Sequence, residues 1–124
     1  MAKPICPSEH IEQCTVVQWL DWNNIKFFAV PNANNMSSSN KRYAINVANR
    51  MKKEGVRSGV YDLVILDYKR VLFLEMKRLK GSRTSLDQID WGLTFTELGH
   101  DNIICKGADE AIEVIKGWLA NAEA

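Results

Sequence analysis

The fold is decided by the stretch Asp62-Leu63-Val64-Ile65-Leu66-Asp67-Tyr68-Lys69-Arg70-Val71-Leu72-Phe73-Leu74-Glu75-Met76-Lys77. It contains two short apolar runs, 63–66 after Asp62 and 71–74 before Glu75, each typical of a buried β-strand. Only four residues separate the runs, and so short a connection predicts an antiparallel hairpin. The acid before the first run and the acid after the second run should therefore meet at one edge of the hairpin.

The charged residues at this edge call for an explanation, because burying an unpaired charge is costly. Side chains alternate along a strand, so Glu75 and Lys77 share one side while Met76 points into the core. Alone, Asp62 could lie exposed in a loop, and Glu75 and Lys77 could form a simple ion pair. Together, Asp62, Glu75 and the main-chain carbonyl of Met76 offer three oxygen ligands of the kind that Mg²⁺ takes. With Lys77 holding or deprotonating a water, the group predicts a Mg²⁺ or Mn²⁺ site that hydrolyses a phosphodiester.

Length and composition indicate one globular domain over residues 1–124, with 46% hydrophobic and 25% charged residues. We see no apolar stretch near the roughly 20 residues that span a bilayer, and we expect no secretory signal. The three cysteines (Cys6, Cys14 and Cys105) are an odd number without C-x-x-C spacing. This argues against a disulfide framework and a zinc site, and favours reduced thiols in an intracellular, cytoplasmic protein.

The net charge of +1 conceals a strong polarisation along the chain. Residues 41 to 83 hold twelve of the sixteen Lys and Arg but only four acids, so this segment carries +8 and the remainder −7. A basic segment around a few acids is typical of a nucleic-acid-binding protein with a metal site. The alternative is two solvated faces of interleaved charge. The candidate DNA-binding residues are Lys41, Arg42, Arg50, Lys52, Lys53 and Arg57 before the site, and Arg78, Lys80 and Arg83 after it.

The remaining pattern predicts a mixed β-sheet flanked by helices, which is an α/β fold. Ser8 is a candidate N-cap of the first helix, and Ser85 with Gln88 matches a capping box. In chain order we expect a helix from 9 to about 21, a strand at 26–30, an Asn/Ser-rich loop at 32–40, a helix at 41–54, the hairpin, a helix from 86 to about 98, a strand at 102–105 and a helix from 108 to about 120.

Seven short segments, read in order, resemble the VRR-NUC (virus-type replication-repair nuclease) domain of the PD-(D/E)-x-K nuclease superfamily, in its stand-alone phage or bacterial form. They are Glu9-His10-Ile11-Glu12-Gln13, Phe28-Ala29-Val30-Pro31-Asn32, Lys53-Glu54-Gly55, Gly59-Val60-Tyr61-Asp62-Leu63-Val64-Ile65, Leu74-Glu75-Met76-Lys77-Arg78, Ser85-Leu86-Asp87-Gln88-Ile89-Asp90-Trp91 and Leu98-Gly99. The spacing Asp-x12-Glu-x-Lys occurs by chance, whereas the ordered set, spanning residues 8 to about 119, is specific. The resemblance implies a restriction-endonuclease-like core in the order αβββαβ with one inserted helix.

The resemblance also implies a role for each matching residue. Asp62 and Glu75 resemble the metal-binding carboxylates, and Lys77 resembles the catalytic lysine. Gln88 resembles a glutamine near the active site, although its capping-box role explains it equally well. The family usually has proline where this chain has Tyr61; proline shapes the approach to the aspartate and contributes no ligand.

A glutamate on the first helix resembles an accessory acid that contacts the metal-bound water. Glu9 and Glu12 are both candidates for this position. Glu9 lies four residues before Gln13, in line with the apolar side of the helix, so we prefer Glu9. Its alternative role is that of a first-turn acid favoured by the helix dipole.

For function, the resemblance implies a Mg²⁺- or Mn²⁺-dependent, structure-selective DNA endonuclease that acts on branched double-stranded DNA such as Holliday junctions in DNA repair. Small members of this family resemble junction resolvases that work as homodimers, and a symmetric dimer suits a two-fold substrate. The Asn/Ser-rich loop and the helix from Lys41 are our candidates for the partner or junction contact. The alternatives are a non-catalytic DNA-binding module with structural acidic residues and a sequence-specific restriction-like enzyme.

Overall fold

The computed structural model describes residues 6–31 and 40–121, and these form a four-stranded mixed sheet with four helices. The elements are α1 (Glu9–Trp22), β1 (Phe27–Ala29), α2 (Lys41–Lys53), β2 (Leu63–Asp67), β3 (Arg70–Lys77), α3 (Leu86–Glu97), β4 (Asp101–Lys106) and α4 (Ala108–Ala120). The strands lie in the order β1-β2-β3-β4; the first two pairings are antiparallel and β3 pairs with β4 in parallel. The predicted α/β fold is thereby confirmed. Within the described residues, no helix is long and apolar enough to cross a membrane.

The hairpin is tighter than the sequence predicted. Its register runs from Leu63 opposite Leu74 to Asp67 opposite Arg70, so only Tyr68 and Lys69 form the turn. Lys69 takes a positive φ of 59°, a conformation that hairpin turns of this length commonly need. The same register places residue 62 next to residue 75 at the other end of the hairpin.

The core lies on one face of the sheet, where β2 and β3 meet α1 and α4. Alternate residues of the strands point there, as the period of two requires. The buried residues of this core are Val16, Leu20, Leu63, Ile65, Leu72, Leu74, Met76, Cys105, Ala108, Ala111 and Ile115. On the opposite face, Phe73 of β3 stacks on Phe95 of α3 with ring centroids 4.0 Å apart. Glu75 and Lys77 follow Phe73 at the same period, so they lie on the face that α3 covers.

The second helix is the least buried element of the described chain. The side chain of Asn40 caps it by accepting from the N–H of Tyr43, and Gly55 follows its end with φ of 105°. None of its residues is buried, and its apolar residues Ala44, Val47, Ala48 and Met51 are only half-buried. Most of the loop predicted at 32–40 lies outside the described residues, and β1 is shorter than the predicted strand at 26–30.

The chain that enters β2 is pressed against α3. Tyr61 is buried and meets Phe95 edge-on, with ring centroids 5.3 Å apart. The Tyr61 hydroxyl occupies the space beside Gly92, because a Cβ built there would lie 2.5 Å from Oη. Trp91 donates its indole N–H to the carbonyl of Ser58 at 3.0 Å. Packing against α3 therefore fixes the residue before Asp62, where the VRR-NUC family usually has the stiffer proline.

We predict that Gly92→Ala destabilises the protein by about 1–3 kcal/mol, since the added methyl overlaps a buried tyrosine. In a Tyr61→Phe background the nearest remaining ring atom is Cζ at 3.6 Å, so the same change should be neutral or stabilising. Urea unfolding of the native protein, the two single variants and the double variant measures the coupling free energy between the added methyl at position 92 and the Tyr61 hydroxyl.

Gly117→Ala in α4 is the matched control, because no atom lies within 4 Å of the added methyl. It should stabilise by about 0.5–1 kcal/mol through helix propensity alone. Equal effects of Gly92→Ala with and without the Tyr61 hydroxyl would contradict the packing described here.

Candidate active site

The two strand carboxylates face each other at the open end of the hairpin. Asp62 lies one residue before β2, and its main-chain carbonyl accepts from the N–H of Val30 at 2.8 Å. The side-chain Oδ2 of Asp62 accepts from the N–H of Met76 at 3.0 Å. This bond fixes the carboxylate of Asp62 against β3, beside Glu75.

A third carboxylate, from α1, completes an acidic cluster. Ligand oxygens of Glu9, Asp62 and Glu75 all lie within 4.8 Å of one another. Glu75 is only 2% exposed, and its Oε1 is buried without a hydrogen-bond partner. Three converging carboxylates, one of which has a buried oxygen without a partner, fit a hard divalent cation such as Mg²⁺ or Mn²⁺.

Gln88 connects the acids to the lysine. Its Nε2 donates to Glu75 Oε2 at 2.6 Å, and its Oε1 accepts from Lys77 Nζ at 2.7 Å. The same Oε1 accepts from the N–H of Ser85 at 3.1 Å, which closes the predicted capping box. Gln88 therefore has its capping role, and the cap holds its amide in place between Glu75 and Lys77; its part in the active site stays a prediction.

Lys77 is 6% exposed and lies 3.6 Å from Glu75 Oε2. An ammonium group that is this buried needs acceptors, and Glu75 and Gln88 supply them. Lys77 places one positive charge beside three carboxylates. From there its ammonium group can hold a water or offset the charge of a phosphate.

Burial is the main influence on the protonation of the acids. It raises the pKa of Glu75 to about 8, with a further contribution from the nearby carboxylate of Asp62, while Lys77 opposes the shift. Burial also raises the pKa of Asp62, against the lowering effects of the Met76 N–H and Lys77. The pKa of Glu9 is raised by burial and by Asp62. Without a cation the cluster thus resists carrying its full negative charge, which is the property of a site built to bind a positive ion.

The two glutamates of α1 have different surroundings. The buried residues of α1 are Glu12, Val16 and Leu20, and Glu9 lies in line with Val16 and Leu20, as expected, but one or more turns nearer the start of the helix. Glu9 is nevertheless the residue that reaches Asp62 and Glu75, because it lies at the half-buried first turn. The Oε2 of Glu12 is buried without a hydrogen-bond partner, near Gly107.

The candidate DNA-binding residues, Lys41, Arg42, Arg50, Lys52, Lys53, Arg57, Arg78, Lys80 and Arg83, are all exposed. Two of them have local partners: Arg50 lies 3.9 Å from Glu54, and Arg57 donates to the carbonyl of Lys52. Exposed lysines and arginines of this kind can contact phosphates without a large desolvation cost.

The main-chain carbonyl of Met76 remains a predicted metal ligand, and the side chain of Met76 lies in the core.

A cleft of about 830 Å³ adjoins the acidic cluster. One wall is a stripe of α1 that includes Glu9, His10, Gln13 and Gln18, and Asp62 lies on another side. The sequence patterns did not predict the two glutamines as neighbours of the site. Gln13 lies four residues after Glu9, close to its side of the helix, whereas Gln18 lies about half a turn around the helix from Glu9, so the spacing could have found only Gln13.

Comparisons with known proteins identify the fold. No protein-family model and no curated protein matches the sequence. A solved structure described as a VRR_NUC domain protein superposes with a TM-score of 0.74 at 21% identity, covering 94% of this chain and 91% of that one. Another, described as a VRR_NUC domain, gives a TM-score of 0.59 at 15% identity, over 89% of this chain and 97% of that one. The chain therefore has the fold of a VRR-NUC domain, as the resemblance in its sequence implied.

We predict that, in EDTA, the protein loses stability as the pH rises from about 5 to 8. The folded state keeps a proton on Glu75 up to a pKa of about 8, whereas the unfolded chain releases it near the ordinary value of 4.5. The unfolded state is thus favoured progressively across that window, by at most about 1.4 kcal/mol per pH unit for one proton.

Urea unfolding at several pH values checks this slope. Glu75→Gln, which carries no titrating group, should flatten it, and the exposed Glu113→Gln should leave it unchanged. A slope that is identical in the Glu75→Gln variant would show that this carboxyl does not hold the proton.

Proposed function

We propose that this protein is a divalent-metal-dependent DNA endonuclease of the VRR-NUC type that hydrolyses phosphodiesters in branched DNA. The observation that supports it most directly is the convergence of Glu9, Asp62 and Glu75 within 4.8 Å beside a buried lysine. A protein that needed these residues only for stability would gain little from placing two half-buried carboxylates beside the buried Glu75. The fold of the VRR-NUC domains supports the same conclusion.

In this proposal each side chain of the site has a separate task. Glu9, Asp62 and Glu75 hold Mg²⁺ or Mn²⁺, which would supply Lewis acidity and make a nearby water more acidic. As an ammonium group, Lys77 orients that water and offsets negative charge on the phosphate; only its neutral amine form would accept the proton of the water.

Gln88 acts through its neighbours as a positioning residue. Its amide donates to Glu75 and accepts from Lys77, so it fixes the position of the carboxylate relative to the ammonium group. Because the capping box anchors Gln88 to the start of α3, the geometry is preorganised before substrate arrives.

The exposed basic residues would bind the DNA backbone on both sides of the site. Contacts of this type give affinity that does not depend on sequence and that falls steeply with salt. We propose a Holliday junction or a related branched duplex as the substrate, and a homodimer as the active form, because two opposed strands have to be cut.

The first test is cleavage of a four-way junction, a flap and a linear duplex with Mg²⁺, Mn²⁺ or EDTA. We expect cleavage of branched DNA with either metal, none in EDTA, and a loss of about 100-fold or more in Lys77→Ala. The exposed Lys116→Ala on α4 is the matched control and should cut as the native protein does.

Junction binding without cleavage in any metal would support a non-catalytic DNA-binding module instead. Discrete bands from a plasmid of random sequence would support a sequence-specific enzyme. Paired symmetric nicks, with the mass of a dimer in solution, would support both the substrate and the assembly proposed here.

The second test is calorimetric titration with Mn²⁺. Asp62→Asn and Glu9→Gln should each weaken binding about tenfold or more, since each removes one anionic ligand. Glu12→Gln, on the same helix but outside the cluster, should leave the isotherm unchanged.

Circular dichroism of the three variants verifies that the fold persists. An unaltered isotherm for Asp62→Asn would remove this residue from the metal site, and a weaker one for Glu12→Gln alone would move the role of accessory acid from Glu9 to Glu12.

A further inference from the structure

The cleft beside the acidic cluster differs in chemistry from the surfaces expected to bind phosphates. Among the described residues that line it there is no lysine or arginine. The hydrogen-bonding groups along its α1 wall include the amides of Gln13 and Gln18 and the imidazole of His10, and Val17 adds an apolar contact. A backbone phosphate would find little attraction in such a lining, especially close to Glu9 and Asp62.

Neutral amides suit a different part of a nucleic acid. Each glutamine presents a donor and an acceptor side by side, which matches the edge of a nucleobase. An apolar side chain such as Val17 can contact the flat face of the same base. Recognition of unstacked bases commonly combines such edge bonds with contacts to the face.

The dimensions of the cleft agree with this ligand. The α1 stripe from Glu9 to Gln18 is about 14 Å long at 1.5 Å per residue. A volume of about 830 Å³ lies within the usual range for a site that encloses a small organic ligand. One end of the stripe carries Glu9, so a base held along it would belong to a nucleotide next to the reacting phosphate.

We propose that the α1 cleft binds an unpaired nucleobase adjacent to the scissile phosphate; this rests on the function proposed above. Taking a base out of a duplex costs a few kcal/mol, and least where pairing is already interrupted. A cleft of this kind would favour branched over linear DNA, because a branch point already has interrupted pairing. The charge of the protein surface would add affinity for both.

The experiment places 2-aminopurine, whose fluorescence rises when it leaves the stack, at successive positions around the branch point of a four-way junction. Binding is measured with Ca²⁺ in place of Mg²⁺, so the reading does not depend on cleavage. With the native protein, we expect the 2-aminopurine fluorescence to rise at only one or two neighbouring nucleotides. The fluorescence rise should be lost in the double variant Gln13→Leu/Gln18→Leu and kept in Thr15→Val, an exposed position of α1 that does not line the cleft.

A second measurement compares cleavage of junctions that carry a normal nucleotide or an abasic site at that position. The double variant should cut the normal junction about 5–10-fold more slowly, the equivalent of one or two hydrogen bonds, and the abasic junction at the native rate. Equal losses on both junctions, or fluorescence that rises at no position or is insensitive to the glutamines, would overturn the base-binding cleft. In that case metal-dependent cleavage by the native protein would still uphold the nuclease.

Discussion

The rest of this structure depends on the cost of burying negative charge at one end of the hairpin. Glu75 is almost fully enclosed, with Asp62 beside it, and their mutual repulsion adds to the loss of solvation. The chain offsets this with the ammonium group of Lys77, the amide of Gln88 and the N–H of Met76. One oxygen of Glu75 is still left without a partner. A bound cation would complete the compensation, so the site is most stable in the form in which it would work.

Three separate parts of the fold hold this arrangement. The hairpin register places residue 62 next to residue 75, and the strand period puts Lys77 on the same side as Glu75. The start of α3 brings Gln88, and the fit of the Tyr61 hydroxyl beside Gly92 presses that helix against the entry of β2. The first turn of α1 adds the third carboxylate. The strand register, the capped start of α3 and the first turn of α1 each position one part of the site. Together they hold the like charges of the carboxylates close to one another.

The surface divides into two kinds of environment that suit two parts of DNA. Exposed lysines and arginines, many of them on the little-buried α2, offer charge to phosphates. The cleft along α1 offers neutral amides and an apolar side chain close to the acids. In the proposed enzyme the first environment would provide affinity and the second would select a distorted substrate. In that proposal, such a division would let a small chain distinguish branched from linear DNA without a helix that reads sequence.

The local patterns of the sequence determined the elements and much of the site. Alternation in 62–77 determined the hairpin and the shared side of Glu75 and Lys77, and Ser85 with Gln88 determined the start of α3, because these effects act over a few residues. Only the tertiary structure decided that Glu9, rather than the more buried Glu12, meets the strand acids, since this depends on how α1 lies across the end of the sheet. It also decided that Gln88 is both a cap and a bridge, and that Tyr61 is held by Gly92. Contacts between residues distant in sequence depend on the relative placement of whole helices and strands, which periodicity does not encode.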